Sequence, residues 1–182
     1  SGIINVTVTQ NNTLGSTIYK GAVTLDGTVA DSITLTSLGD MTFNGAVTAT
    51  DIGSGGITST NGSLYFNADL SGADTIDLNA KNGIYLNTVG AGADPTLLDL
   101  DSAAAQLSGA INVVAIDTTG VGTTTLAADI TITATGSGNA IQLGDLIGQK
   151  DLTLDADGSA SDIILNNANI ASLTINDADD VT

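Results

Sequence analysis

The sequence predicts an all-β fold of the solenoid type, in which short strands stack coil upon coil. Three observations predict it. Apolar-x-apolar pairs recur at Ile130/Ile132, Ile141/Leu143, Leu152/Leu154, Ile163/Leu165 and Leu173/Ile175, stepping by eleven residues three times and then by ten. Each pair has the strand signature of two inward side chains around one outward residue. Second, residues 33–44 align without gaps to residues 76–87, and residues 62–67 match the second half of that unit. A short strand cannot bury its apolar face alone, so a regular repeat implies stacking. Third, the composition suits strands and corners. Thr, Val and Ile favour strands, and Asp, Asn and Gly favour turns, while Glu and Arg are absent and Lys is scarce.

Taken in order, residues 4–9 alternate well and read as a first coil or a pairing strand. The aligned blocks follow, with Met41, Leu64 and Ile84 as equivalent positions 23 and 20 residues apart, which sets a coil of about 20–23 residues. The eleven-residue beat is then half a coil, with two strands per turn. Pro95, the only proline, marks 90–95 as a protruding loop. Leu98/Leu100 and Ile111/Val113 continue the pattern, and Thr119–Gly122 reads as a second Gly-rich excursion. From Leu173 to Val181 is eight residues, the step from Ile33 to Met41, so 180–182 reads as the start of another strand. The pattern stops in mid-repeat. The expectation is one solenoid domain over 1–182, cut from a longer repeat protein or completed by another molecule. About nine coils at about 4.8 Å each give a rod on the order of 40 Å.

Composition excludes several classes. All 20 acidic residues are Asp, the only cations are Lys20, Lys81 and Lys150, and the net charge is -17. A basic stripe for nucleic-acid phosphates cannot be built from three lysines, and anionic membranes repel such a surface. No stretch approaches the length of a membrane helix. There is no Cys, so no disulfide supports the fold. No nucleophilic Ser or Thr has a His to activate it, because His is absent.

The spacing, the Asp151–Ala156 run and the Gly39–Asn44 run resemble the shaft repeats of filamentous-haemagglutinin-like bacterial surface proteins, in patches over residues 30–182. The resemblance implies a right-handed parallel β-helix, export to the cell surface or extracellular space, and a role in adhesion or fibre formation. The Asn-Pro-Asn secretion motif of that family is absent, so the likeness is to the shaft alone. The rival architecture is a β-sandwich pilus or filament subunit joined by strand exchange through residues 3–9, with antiparallel hairpins as its hallmark.

Calcium is the candidate ligand, on Asp155, Asp157 and Asp162 around the glycine turn at Gly158, because it takes several hard oxygens from a flexible loop. Residues 176–180 form a second acidic cluster, and 71–76 carry a faint likeness to calcium-binding nonapeptide repeats. Asn44, Asn67, Asn79, Asn87, Asn166 and Asn176 each follow an apolar pair, the position for a hydrogen-bonded corner ladder. Tyr65 and Tyr85 occupy the outward middle of aligned repeats, placed to stack on each other or to offer an adhesive patch. Phe43 and Phe66 take inward positions. Asn5, Asn11 and Asn61 begin glycosylation sequons. The expected function is non-enzymatic: a structural segment of an extracellular fibre, adhesin shaft or surface layer. Its expected partners are copies of itself, the rest of a longer chain, or a host-surface or carbohydrate receptor. A carbohydrate-binding or carbohydrate-cleaving β-helix is the alternative, with cleavage disfavoured by the absence of Arg and His.

Overall fold

A computed structural model describes residues 5–10, 16–26, 32–50, 56–158 and 160–182, with no helix among them. Alternating Thr, Val, Ile and Leu draw these segments into strands. Small or polar residues break each strand after two to nine residues, and the chain turns. Every strand pairing among the described residues is parallel. The result is a parallel β-solenoid. Antiparallel hairpins, on which the sandwich reading depended, are not formed among these residues, and that reading is withdrawn.

Each coil has three faces, not the two strands that the eleven-residue beat suggested. The first face is a sheet of nine stacked strands, from Asn5–Gln10 to Asp180–Val181. The second and third faces share one fourteen-stranded sheet, because two strands, Ser63–Ser71 and Gly83–Val89, run around the corner between them unbroken. The beat alternates between the third face (Ile130–Ala134, Asp151–Ala156, Ser172–Asn176) and the first (Gly138–Leu143, Ser161–Leu165). In the last coils the second face was overlooked because its strands there are too short to show a pair. Leu146–Ile147 turns one apolar residue inward, and Ala168–Asn169 is exposed throughout.

Coil length varies, and the register absorbs it. Met41 lies beneath Leu64 and Leu64 beneath Ile84, as the internal alignment requires. Leu35, Ile57 and Leu78 form one column, so the 43-residue offset of the aligned blocks spans two coils. The step from Ile116 to Ile141 is 25 residues, and from Ile163 to Val181 it is 18. Asn5–Gln10 joins the first face beside Ser32–Ser37 and is a first coil, while residues 3 and 4 lie outside the described residues. Thr119–Gly122 is not an excursion: residues 119–121 belong to the strand Ile116–Val121, beside a register shift between Asp99 and Asp101. In the 90–95 loop, residues 91–94 are exposed but Pro95 is buried and its carbonyl accepts from Val114 N at 2.7 Å. Asp180–Val181 does begin a further strand. It lies on the first face, however, while Met41 opens the second, so the two eight-residue steps turn different corners.

One apolar core runs along the axis from Leu35 to Ile163, filled by inward Ile, Leu, Val and Ala. Within it Phe43 stacks on Phe66 with ring centres 4.8 Å apart, and Tyr19 stacks on Phe43 at the same distance. Offset aromatic stacking adds to the area they bury. Ser37, Ser59, Ser102 and Ser161 are buried too. They are tolerated because their hydroxyls bond the corners: Ser59 Oγ donates to Gly39 O at 2.8 Å and accepts from Gly62 N at 3.1 Å.

Candidate functional site

The outward surface carries three sets of groups able to do chemistry. The first accounts for four of the aspartates. Asp side chains at the corners accept hydrogen bonds from the next coil. Asp40 Oδ1 takes Ser63 N at 2.8 Å, Asp69 Oδ1 takes Ala91 N at 3.1 Å, and Asp129 Oδ1 takes Asp151 N at 3.0 Å. Asp145 Oδ1 takes Asn167 Nδ2 at 2.8 Å. An ionised carboxylate only accepts, so it suits a corner where N–H groups lack a strand partner.

The second is a ladder of carboxylates on the first face. Asp77, Asp99 and Asp117 are in-register partners on successive coils, and Asp101 lies two residues beyond Asp99. Stacked strands hold such neighbours about 4.8 Å apart, where like charges repel. Partial burial raises the Asp99 carboxyl above the usual carboxylate range, and Asp117, Asp77 and Asp101 raise it further. Burial also raises Asp77, with Asp101 adding to it. Asp101 is steadied by Asn79, whose Nδ2 donates to Oδ2 at 3.1 Å.

The ladder predicts a pH dependence. Asp77 and Asp99 bind protons more readily in the folded than in the unfolded chain. Their contribution to stability is therefore complete below the ordinary carboxylate range and lost as pH rises through their raised folded values. Lowering pH from neutral toward that range raises the melting temperature. Asp99→Asn raises it at neutral pH and flattens that part of the profile. Melts of parent and variant followed by circular dichroism check this, and two parallel profiles would remove the ladder as the cause.

The calcium candidates do not converge. Asp155 is an outward residue of the third face, between Thr133 and Asn176 in register. Asp157 is exposed at the following corner, and Asp162 is on the first face between Asn139 and Asp180. Among the described residues no three carboxylates are placed to hold one metal ion. Ser159 of this loop lies outside the described residues. The turn itself serves coil stacking: a Cβ on Gly158 would collide with the carbonyl of Gly136 one coil below. In the 176–180 cluster Asp177 takes a left-handed conformation at φ 51°, and Asp179 N donates to Ser161 O at 2.8 Å, which turns the chain onto the first face. Residues 71–76 turn another corner, where Gly72 N donates to Ala93 O at 3.1 Å.

The third set lies at the bend between second and third faces. Tyr65 and Tyr85 stack with ring centres 4.6 Å apart and planes within 9°. Two residues on, Asn67 Nδ2 donates to Asn44 Oδ1 at 2.8 Å, and Asn87 Nδ2 donates to the Asn67 carbonyl at 3.1 Å. The expected side-chain ladder thus forms between Asn44 and Asn67, and Asn87 joins it at the backbone carbonyl of Asn67. Asn79, Asn166 and Asn176 belong to other corners, with Asn79 bonded to Asp101 instead. On the next coil Gln106 Nε2 donates to Ser108 Oγ at 3.4 Å. Tyr65, Asn67, Tyr85, Asn87, Gln106 and Ser108 line a shallow cleft of ≈ 270 Å³.

The sequence reading placed the two tyrosines and the asparagines but missed the Asp ladder, Gln106 and Ser108. A signal for the ladder was present: Asp77, Asp99 and Asp117 each sit between inward residues, in Ile76–Leu78, Leu98–Leu100 and Ile116–Thr118. For Gln106 and Ser108 the signal was the same offset around Leu107, obscured by polar residues unlike their counterparts below. Comparison with protein-family models, curated proteins and solved structures gives no match.

Proposed function

We propose that this chain is a non-enzymatic structural segment of an extracellular fibre, adhesin shaft or surface layer. The observation that carries this reading is the continuity of the stack. Parallel backbone ladders run along the axis on every face, around one apolar core with like residues in the same column. Load along the axis is then shared by many hydrogen bonds and by packing that each coil makes with its neighbours. The charge of -17 keeps such rods apart and soluble. The apolar columns reach the surface at Leu173, Ile175 and Val181, a face suited to stacking against another coil. Chemistry is disfavoured because Arg, His and Cys are absent, which leaves few groups to move protons or stabilise developing charge.

Two measurements test the reading. Electron micrographs of the purified chain should show short straight rods, and antibody against it should label intact cells without permeabilisation. Labelling that requires permeabilisation overturns the surface assignment. Reproducible cleavage of a polysaccharide, lost on replacing one Asp, overturns the non-enzymatic one.

A further inference from the structure

We propose that the cleft beside the Tyr65–Tyr85 stack is a binding site for a neutral saccharide, holding one or two sugar units of a glycan. This goes beyond the shaft role, which needs no ligand, so either reading can fail without the other.

The lining specifies the chemistry. Two half-buried tyrosine rings supply apolar surface of the kind that packs on the C–H face of a sugar. Asn67, Asn87, Gln106 and Ser108 surround it with neutral donors and acceptors. No charged side chain lines the cleft. An anion would find no cation there and would meet the field of a chain carrying -17, while a cation would find no carboxylate. A neutral ligand with many hydroxyls and one apolar face is what remains. The size agrees: ≈ 270 Å³ is just under the roughly 300 Å³ at which small-molecule sites begin, so the cleft takes a short stretch of glycan.

The groups are also set in advance. Each asparagine amide spends one hydrogen along the ladder, Asn67 on Asn44 and Asn87 on Asn67. That leaves the other hydrogen of each amide, with the side-chain oxygens of Asn67 and Asn87, for a ligand. The same bonds fix the amide planes, and stacking fixes the rings, so little side-chain freedom is lost on binding. Because the Tyr-x-Asn unit repeats one coil on, a glycan laid along the axis meets equivalent groups twice, about 4.8 Å apart.

The test uses the whole chain. It has no Trp and three Tyr, two of which line the cleft, so the ligand-dependent part of tyrosine emission reports on it, with Tyr19 as a constant background. Maltotriose, cellotriose and chitotriose are titrated beside polygalacturonate as the anionic comparison, with saturation-transfer NMR as a second readout. At least one neutral trisaccharide should quench emission saturably at millimolar concentration. Asn87→Ala should weaken it about tenfold and Tyr85→Thr should abolish it. Thr153→Ala, on the third face, should leave it unchanged. Should Tyr85→Thr fail to fold, Asn87→Ala and the NMR signal decide. The proposal is overturned by no saturable binding of any neutral trisaccharide, by binding that Asn87→Ala leaves intact, or by preference for polygalacturonate.

Discussion

Leu154→Asp unfolds the coils around it. Leu154 is fully buried on the third face, between Ile132 below and Ile175 above in the same column. A carboxylate there faces only apolar neighbours, with no lysine or amide in the column to receive it. An uncompensated buried charge costs about 3–5 kcal/mol, and loss of the leucine's packing adds to this. Much of the energy of a solenoid lies between neighbouring coils, so the damage spreads from residue 154 to both adjacent strands before it reaches the N-terminal half. The expected result is a biphasic or strongly lowered melt by circular dichroism, with hydrogen exchange accelerated first in residues 130–134 and 172–176. Thr153→Asp, one residue away but outward, should melt within a few degrees of the parent. Equal melting of the two variants would mean that the column is not inward.

Gly90→Ala should be strongly destabilising for a single added methyl group. Gly90 holds φ at +78°, a conformation that costs other residues roughly 1–2 kcal/mol. Its N–H donates to Leu70 O at 2.9 Å, which ties the corner to the coil below. A Cβ at this position would strike the backbone carbonyl of Asn112 in the coil above. Backbone cannot step aside as a side-chain tip can, so strain and collision add to roughly 2–5 kcal/mol. For a chain of this size each kcal/mol lowers the melting temperature by about 2–4 °C. Gly138 is the internal control: its φ is +68°, but a Cβ there meets nothing within 4 Å. Gly138→Ala should therefore pay the conformational cost alone. If both variants lose the same stability, the close approach of coils at Gly90 is absent in solution.

Much of this architecture was legible beforehand, and particular residues show why. Met41, Leu64 and Ile84 were aligned from sequence and share one column. Their signal is local: an inward apolar residue every second position, followed by a corner, is written within a few residues of chain. In the last coils the second face was illegible for the opposite reason. Ala168–Asn169 exists as a strand because Leu146–Ile147 beneath it offers free backbone groups, not because of its own side chains. The burial of Ser59 likewise had no local signal, since its partners Gly39 and Gly62 become visible only when the chain has turned. The loop at Asp155, Asp157 and Asp162 looked like a site because three carboxylates are close in sequence, but a corner sends them to different faces.

By itself, the sequence determined that this protein is all-β, where most of its inward columns fall, and that no guanidinium, thiol or imidazole is available to it. Only the tertiary structure decided which outward groups meet. Tyr65 lies against Tyr85, and Asp99 is held between Asp77 and Asp117, because intervening loops of unequal length bring those strands into register. Inward or outward is settled by a period of two along the chain, whereas a neighbour across coils is settled by how many residues the turn consumes.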